Sequence, residues 1–309
     1  MTLNRSIYYI ATLVRNVLSL KGLSALLSSL GALYTVLKCV DYFHLAQQSE
    51  VQKYWWLFLA AGVVGAIWIC RPKLRVSYKL KDRDIGIEIA IGDLFSFRGA
   101  IVVGTNSTFD TLISKKLIAT KSVQGQFTKK YYKDVGLLDD ELCAGLNGIE
   151  HEELHDQRSG KKKRYPLGTV VRLNPNNQTG YFLAIADINE HGVATGTFED
   201  LKQALGQLWV FIGQRGMKEP LVMPVLGSGF MRLKESRQVI IQEIIKSYIA
   251  ACSEKTFCDK LTIVLGANDA RKHQVDFVAL CDYLHHFCIY TGFASNTGDR
   301  VGTPVILDT

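Results

Sequence analysis

The chain has 309 residues, enough for one ordinary domain of roughly 200 residues with an appended module. Hydrophobic residues make up 48% and aromatics 10%, which excludes disorder for most of the length, because this much apolar side chain offsets the entropy of ordering. The net charge of +7 is concentrated in residues 71–75 and in Lys161-Lys162-Lys163-Arg164 rather than along an aromatic-studded face, which argues against nucleic acid as a partner and for membrane-flanking charge and a solvated loop.

In chain order, Ile7, Ile10, Val14, Val17 and Leu18 recur at helical spacing and predict an amphipathic helix lying in a membrane interface, or an extension of the span that follows. Residues 23–43 are apolar except for Lys38 and Asp41, both near one end, where Lys38 can snorkel to the headgroups. This is the first expected transmembrane helix. Residues 54–70, YWWLFLAAGVVGAIWIC, carry no charge, and Tyr54, Trp55, Trp56 and Trp68 fall where interfacial rings prefer to lie, which predicts a second span. No small-residue cleavage site precedes a soluble segment, so an anchor is expected rather than a signal peptide. Arg5, Arg15 and Lys21 precede the first span and Arg71, Lys73 and Arg75 follow the second, so both termini are expected on the cytoplasmic side of a bacterial inner membrane. Ala61 with Gly65 and Gly62 with Ala66 are small-residue pairs at a spacing that lets helices approach closely, a hint of self-association.

Pro72 ends the second span, and the pattern changes to short apolar runs alternating with helical ones, so residues 1–73 are expected to form a membrane module and 74–309 a cytoplasmic domain. Strands are predicted at 76–80, 85–91, 101–104, 169–173, 181–186, 221–226 and 261–266, and helices at 110–119, 125–133, 198–214, 233–253 and 274–290. This alternation predicts an α/β domain with a mixed sheet covered on both faces, and ligands bind such sheets at the carboxyl ends of the strands. The cysteines form no CxxC pair, which suits a reducing compartment.

Three loops fall at those strand ends: Gly92-Asp93-Leu94-Phe95; Ser122-Val123-Gln124-Gly125-Gln126-Phe127, opening a helix; and Gly227-Ser228-Gly229-Phe230, after Leu226. Glycines beside helix starts let backbone N–H groups converge on an anion, so a pyrophosphate would fit between two such loops. Asn268, Asp269 and His273 follow the last strand and either border a bound base or form a plain turn. Together and in this order the loops resemble the macro-domain family: GDLF looks like its GDIT, residues 100–107 (AIVVGTNS) like its AIVNAANS, and residues 224–230 like its PaIGtG loop. The resemblance implies a three-layer α/β/α fold and an ADP-ribose-type ligand. It assigns Asp93, beside Leu94, to the adenine amino group, and Asn106 to the distal ribose. It assigns Gln124, Gly125, Gln126 and Phe127, opened by Ser122 and Val123, to a phosphate and the distal ribose, and Leu226, Gly227, Ser228, Gly229 and Phe230 to the other phosphate.

Val103 stands where the family has its first asparagine, and Ser122-Val123-Gln124-Gly125 stands where hydrolytic members have three glycines. A catalytic water needs positioned partners, so binding is expected rather than turnover, with no catalytic residue, metal or cofactor. The two spans plus a divergent macro domain carrying SVQGQF are similar to the membrane-anchored effectors of type II Thoeris antiphage systems. That resemblance implies a partner TIR-domain enzyme that makes a histidine-conjugated ADP-ribose signal, self-association on binding it, and membrane damage ending in cell death or growth arrest. The competing class is a membrane-bound macro-type hydrolase acting on ADP-ribose conjugates. The polar stretch 139–165 is expected to be either a loop that orders on binding or a solvated insertion. His151-Glu152-Glu153-Leu154-His155 matches the zinc motif HExxH, but its polar surroundings favour a chance match in a surface loop. Cys281, His285 and Cys288 share a helix face that either lines the core or holds a metal.

Overall fold

The computed structural model describes residues 2–43, 55–80, 84–113, 117–155, 160–188, 194–227 and 233–290. The chain divides into two compact units, one ending at Leu74 and one beginning at Arg75.

Among the described residues the first unit has the helices α1 (Thr2–Val17), α2 (Leu20–Tyr42) and α3 (Trp55–Ile69). On α1, Leu13 and Val17 pack on a cluster of Ala25, Ala66 and Cys70, while Ile7, Ile10 and Val14 form an exposed apolar stripe. By length and composition, Leu20–Cys39 is long and apolar enough to cross a membrane. The apolar helix α3 has 15 described residues, at about 1.5 Å each shorter than a hydrocarbon core about 30 Å thick, a mismatch of the kind that local thinning of the bilayer accommodates. Leu23 and Leu27 of α2 and Val64 and Trp68 of α3 are exposed apolar side chains.

The glycine stripe of α3 has a use within the chain. The Ser29 hydroxyl donates to the Gly62 carbonyl at 2.8 Å, and a Cβ on Gly62 would lie 2.4 Å from Leu30 Cδ2. The face that hinted at self-association is therefore filled by this chain's own α2. Gly62→Ile is expected to force the pair apart at an overpacking cost of about 1–3 kcal/mol, read as a lower melting temperature in detergent. Unchanged melting would show that the two helices do not depend on this contact.

The second unit contains strands β1 (Arg75–Lys79), β2 (Gly86–Ile91), β3 (Ala100–Asn106), β4 (Glu152–Glu153), β5 (Lys163–Arg164), β6 (Val170–Leu173), β7 (Gly180–Ile188), β8 (Ala194–Thr195), β9 (Leu221–Pro224) and β10 (Lys260–Leu265). Its helices are α4 (Val123–Tyr131), α5 (Val135–Leu146), α6 (Phe198–Arg215), α7 (Arg237–Glu254), α8 (Ala267–Lys272) and α9 (Phe277–Tyr290). The sheet order is β1-β2-β10-β9-β3-β7-β6, with β8 on β7, and β4 and β5 form a separate two-stranded ribbon. Neighbours from β2 through β10, β9 and β3 to β7 are parallel, and β1 and β6 close the edges antiparallel.

The parallel strands are continuous apolar runs because both faces are covered. On one face Ile101, Val103, Phe182 and Val222 pack with Phe127 of α4 and with Leu138 and Leu142 of α5. On the other, Tyr181 meets Phe211 of α6 with ring centroids 6.3 Å apart, and Trp209 of α6 meets Tyr248 of α7 at 5.4 Å. The result is the mixed α/β/α domain anticipated from the sequence. The starts of α4, α5, α6 and α7 carry side-chain caps, the fullest being Thr197 and Asp200, which exchange backbone and side-chain hydrogen bonds as a capping box at α6.

Two local expectations are corrected. Among the described residues of 110–119 no helix forms: Asp110 is buried just after the turn at Ser107–Thr108 and Phe109 at a φ of 50°, and Ile113 and Ile118 form an isolated bridge. The stretch 139–165 is not a bare loop, since it begins inside α5 and ends in the β4–β5 ribbon. His151 to His155 run through β4, so the two histidines do not share a helix face as HExxH zinc sites require.

Candidate ligand-binding site

Because β2, β10, β9, β3 and β7 are parallel, their carboxyl ends lie along one rim of the sheet. In that order the rim carries Asp93, Asn268, Leu226 with Gly227, Asn106, and Ile188. At about 4.8 Å per strand, β2 and β3 are about 14 Å apart, room for an elongated ligand across the strand ends.

Above β9, β3 and β7 a cavity of about 270 Å³ opens, close to the lower end of the usual range for ligand pockets, about 300 Å³. Asn106, Ser122, Val123, Gln124, Leu226 and Gly227, all singled out from the sequence, line it. So do Gly104, Thr105, Pro224 and Val225, which belong to the quoted motifs without an assigned role, and Leu117, Ile118, Lys121, Ile185, Ala186, Ile188 and Ala194, which were not singled out. The start of α4 forms one wall. The Ser122 hydroxyl caps it by accepting from the Gly125 N–H at 3.0 Å and donating to the Ala119 carbonyl at 2.7 Å, and the Gln126 N–H reaches the Ser122 carbonyl at 2.9 Å. The N–H groups of Val123 and Gln124, with no carbonyl one turn back, carry the positive end of the helix dipole at the cavity wall.

The remaining anticipated residues are distributed otherwise. Asp93 and Leu94 lie outside the cavity, where an Asp93 carboxylate oxygen caps a single 3-10 turn (Leu94–Ser96) by accepting from the Phe95 N–H at 3.2 Å. Asn268 is exposed on α8. Gln126 is partly exposed, and its side chain donates to the Lys121 carbonyl at 2.8 Å. Gly125 is buried against Ala119 and Thr120 beneath the cavity wall. Phe127 is wholly buried on the far side of α4 and is a core residue. Ser228, Gly229 and Phe230 lie outside the described residues.

The side chain of Asn106 does not simply face the cavity. Its Nδ2 donates to Asp110 Oδ2 at 2.9 Å, and its Oδ1 accepts from the Asp110 N–H at 3.0 Å. Gln124 likewise donates to the Asp110 carbonyl at 2.6 Å. Asp110 is the residue that the sequence reading missed here, because periodicity placed it at a helix start; the signal that could have found it is an acid two residues after Thr108 in an otherwise apolar and hydroxyl-rich run. Nearby, burial first, then Cys143 and Glu153, push the Tyr165 phenol up, so it stays protonated. Among the described lining residues Lys121 is the single ionisable one, and there is no carboxylate, imidazole or thiol. Among the described residues no group of three His, Cys, Asp or Glu could hold a metal ion.

A family model described as Thoeris protein ThsA, Macro domain, matches residues 87–266, from β2 to the end of β10. The chain belongs to the ThsA macro-domain family. The ThsA protein of Bacillus amyloliquefaciens strain Y2 is 26% identical over 206 residues, which cover 64% of this chain and 67% of the relative. Among solved structures, the Oceanobacillus iheyensis macrodomain with ADP is 14% identical, covers 69% of this chain and 99% of its own, and has a TM-score of 0.47. The same macrodomain with MES bound is 15% identical, covers 69% and 98%, and has a TM-score of 0.45. The ThsA match runs through all three loops, and it includes Val103, which here fills core between β3 and the helices α4 and α5.

Proposed function

We propose that the chain is a membrane-anchored effector of Thoeris antiphage defence whose second unit binds an ADP-ribose-derived signal without turning it over. The observation that carries this reading is the composition of the cavity: a capped helix start and Lys121 offer positive potential to a phosphate, and the described lining residues include no carboxylate, imidazole or thiol to serve as a general base. In this reading the phosphates lie between the start of α4 and the Leu226–Gly227 turn, and the base extends along the rim towards Asn268 and Asp93. The signal is histidine-conjugated ADP-ribose supplied by a TIR-domain enzyme. The exposed apolar faces of α1, α2 and α3 anchor the protein as two spans and an interfacial helix, with the second unit in the cytoplasm, and binding drives self-association that disrupts the inner membrane.

The test is calorimetric titration of the full chain in detergent with ADP-ribose and with its histidine conjugate, with particle size followed by light scattering and the nucleotide recovered afterwards. Tight binding, growth in size and intact ligand support the proposal; no binding of either nucleotide overturns it, and recovered product replaces it with the hydrolase reading. Lys121→Glu is expected to weaken binding about tenfold at low salt and less at high salt, because the charge is exposed and therefore screened. Folding should change little, as surface substitutions usually cost under about 0.5 kcal/mol. Salt-independent wild-type affinity would remove the phosphate from this wall.

A further inference from the structure

Asp110 is 1% exposed and does not line the cavity, yet five hydrogen bonds converge on it. Its Oδ2 accepts from Asn106 Nδ2 at 2.9 Å and from the Thr108 hydroxyl at 2.7 Å, and its Oδ1 accepts from the Lys161 N–H at 2.7 Å. Its own N–H donates to Asn106 Oδ1, and its carbonyl accepts from Gln124 Nε2. An asparagine amide has two donor hydrogens, so the bond to Asp110 fixes the direction in which Asn106 presents the second one. Asn106 and Gln124 both line the cavity.

The third partner, Lys161, leads into β5. Gly160 before it has a φ of 136°, and a Cβ there would lie 2.7 Å from Asp110 Oδ1. Past Lys161 the same segment is held twice more beside the cavity: Arg164 Nε pairs with Asp187 Oδ1 at 3.2 Å, between the lining residues Ala186 and Ile188, and the Tyr165 N–H donates to the Ser107 carbonyl at 2.8 Å, next to Asn106. The segment 161–165, which contains β5, is therefore held at three points by residues bonded to or next to the lining.

We propose that Asp110 is a positioning residue. It sets the orientation of Asn106 and Gln124 for a ligand that it does not touch, and through Lys161 it makes the β4–β5 ribbon sense whether the cavity is occupied. This rests on the reading of the cavity as a nucleotide site. In Asp110→Asn an NH2 replaces one acceptor and faces either the Lys161 N–H or the donors of Asn106 and Thr108, so at least one hydrogen bond becomes a donor–donor contact. Gly160→Ala perturbs the same carboxylate from an exposed position outside the cavity.

The experiment uses the full chain in detergent, titrated with ADP-ribose, with hydrogen exchange read by mass spectrometry on the peptide spanning residues 161–165. Both variants are expected to bind about tenfold or more weakly. In the wild type, ADP-ribose should slow exchange of that peptide, and in the variants this protection should be lost, which a residue important only for folding would not produce. Wild-type affinity in both variants, or ligand protection that persists in them, overturns the assignment to Asp110 while leaving the ligand site in place. If Asp110→Asn does not fold, Gly160→Ala decides alone. A wild type that binds no ADP-ribose overturns the nucleotide reading and this inference with it.

Discussion

Truncation of Phe127 to alanine is expected to cost the second unit about 3–5 kcal/mol, whereas Phe127→Leu should cost far less and leave ADP-ribose affinity nearly unchanged. The ring is fully buried, 5.4 Å from Phe182 and 4.8 Å from Tyr131 between centroids, and it sits where Gly180 leaves space: a Cβ there would lie 2.6 Å from Phe127 Cζ. Gly180 opens β7, while the cavity is lined by Ile185, Ala186 and Ile188 near its other end. Five residues of strand at about 3.3 Å each separate the two by about 17 Å. Because domains are stable by only about 5–15 kcal/mol, the alanine variant should lose a large share of its folded stability, read by chemical denaturation followed by circular dichroism. A Phe127→Leu variant that folds normally but binds ADP-ribose tenfold more weakly would return this side chain to the ligand, where the family motif places it.

Phe127 illustrates what a motif can and cannot carry. Sequence order located the start of α4 at the strand ends, and Ser122, Val123 and Gln124 do line the cavity, but a linear motif does not say which side of a helix faces the ligand. Positions 124 and 127 are three residues apart, yet the first lies at the wall and the second a turn deeper, under the sheet. The central strands β2, β3, β7, β9 and β10 were legible for a simpler reason: each is a short, largely apolar run buried on both faces. Helix α5 was missed because Asp139, Asp140 and Glu141 lend it the look of a solvated loop; its signals were Asp134, which caps it by accepting from the Gly136 N–H, and the pair Leu138 and Leu142, both fully buried. The misreading of residues 110–119 has the opposite origin. Leu112, Ile113, Leu117 and Ile118 have helical spacing, but the buried carboxylate of Asp110 binds the side chains of Asn106 and Thr108, and that network holds the chain in a turn. Long-range partners such as Lys161, fifty-one positions away, leave no periodic trace.

Gly125→Ala should produce the largest loss of binding for the smallest change in side chain. Within a helix, alanine is favoured over glycine by about 1 kcal/mol, so propensity alone predicts a more stable α4. The surroundings reverse that sign: a Cβ on Gly125 would lie 2.4 Å from the Ala119 carbonyl oxygen and 3.2 Å from Thr120 Cα, backbone atoms that cannot rotate away as a side chain would. The same carbonyl already accepts from the Ser122 N–H at 2.9 Å and from the Ser122 hydroxyl at 2.7 Å, so displacing it disturbs the cap of α4 and shifts Ile118 and Lys121, both part of the cavity lining. An overpacking cost of about 1–3 kcal/mol outweighs the propensity gain. Taken up as movement of the wall rather than as unfolding, it corresponds to as much as a hundredfold weaker binding at about 1.4 kcal/mol per factor of ten. Calorimetric titration of the full-length variant with ADP-ribose measures this directly. Wild-type affinity would mean that the segment before α4 gives way without carrying the lining with it, and the close approach of Gly125 to Ala119 would then matter for packing alone.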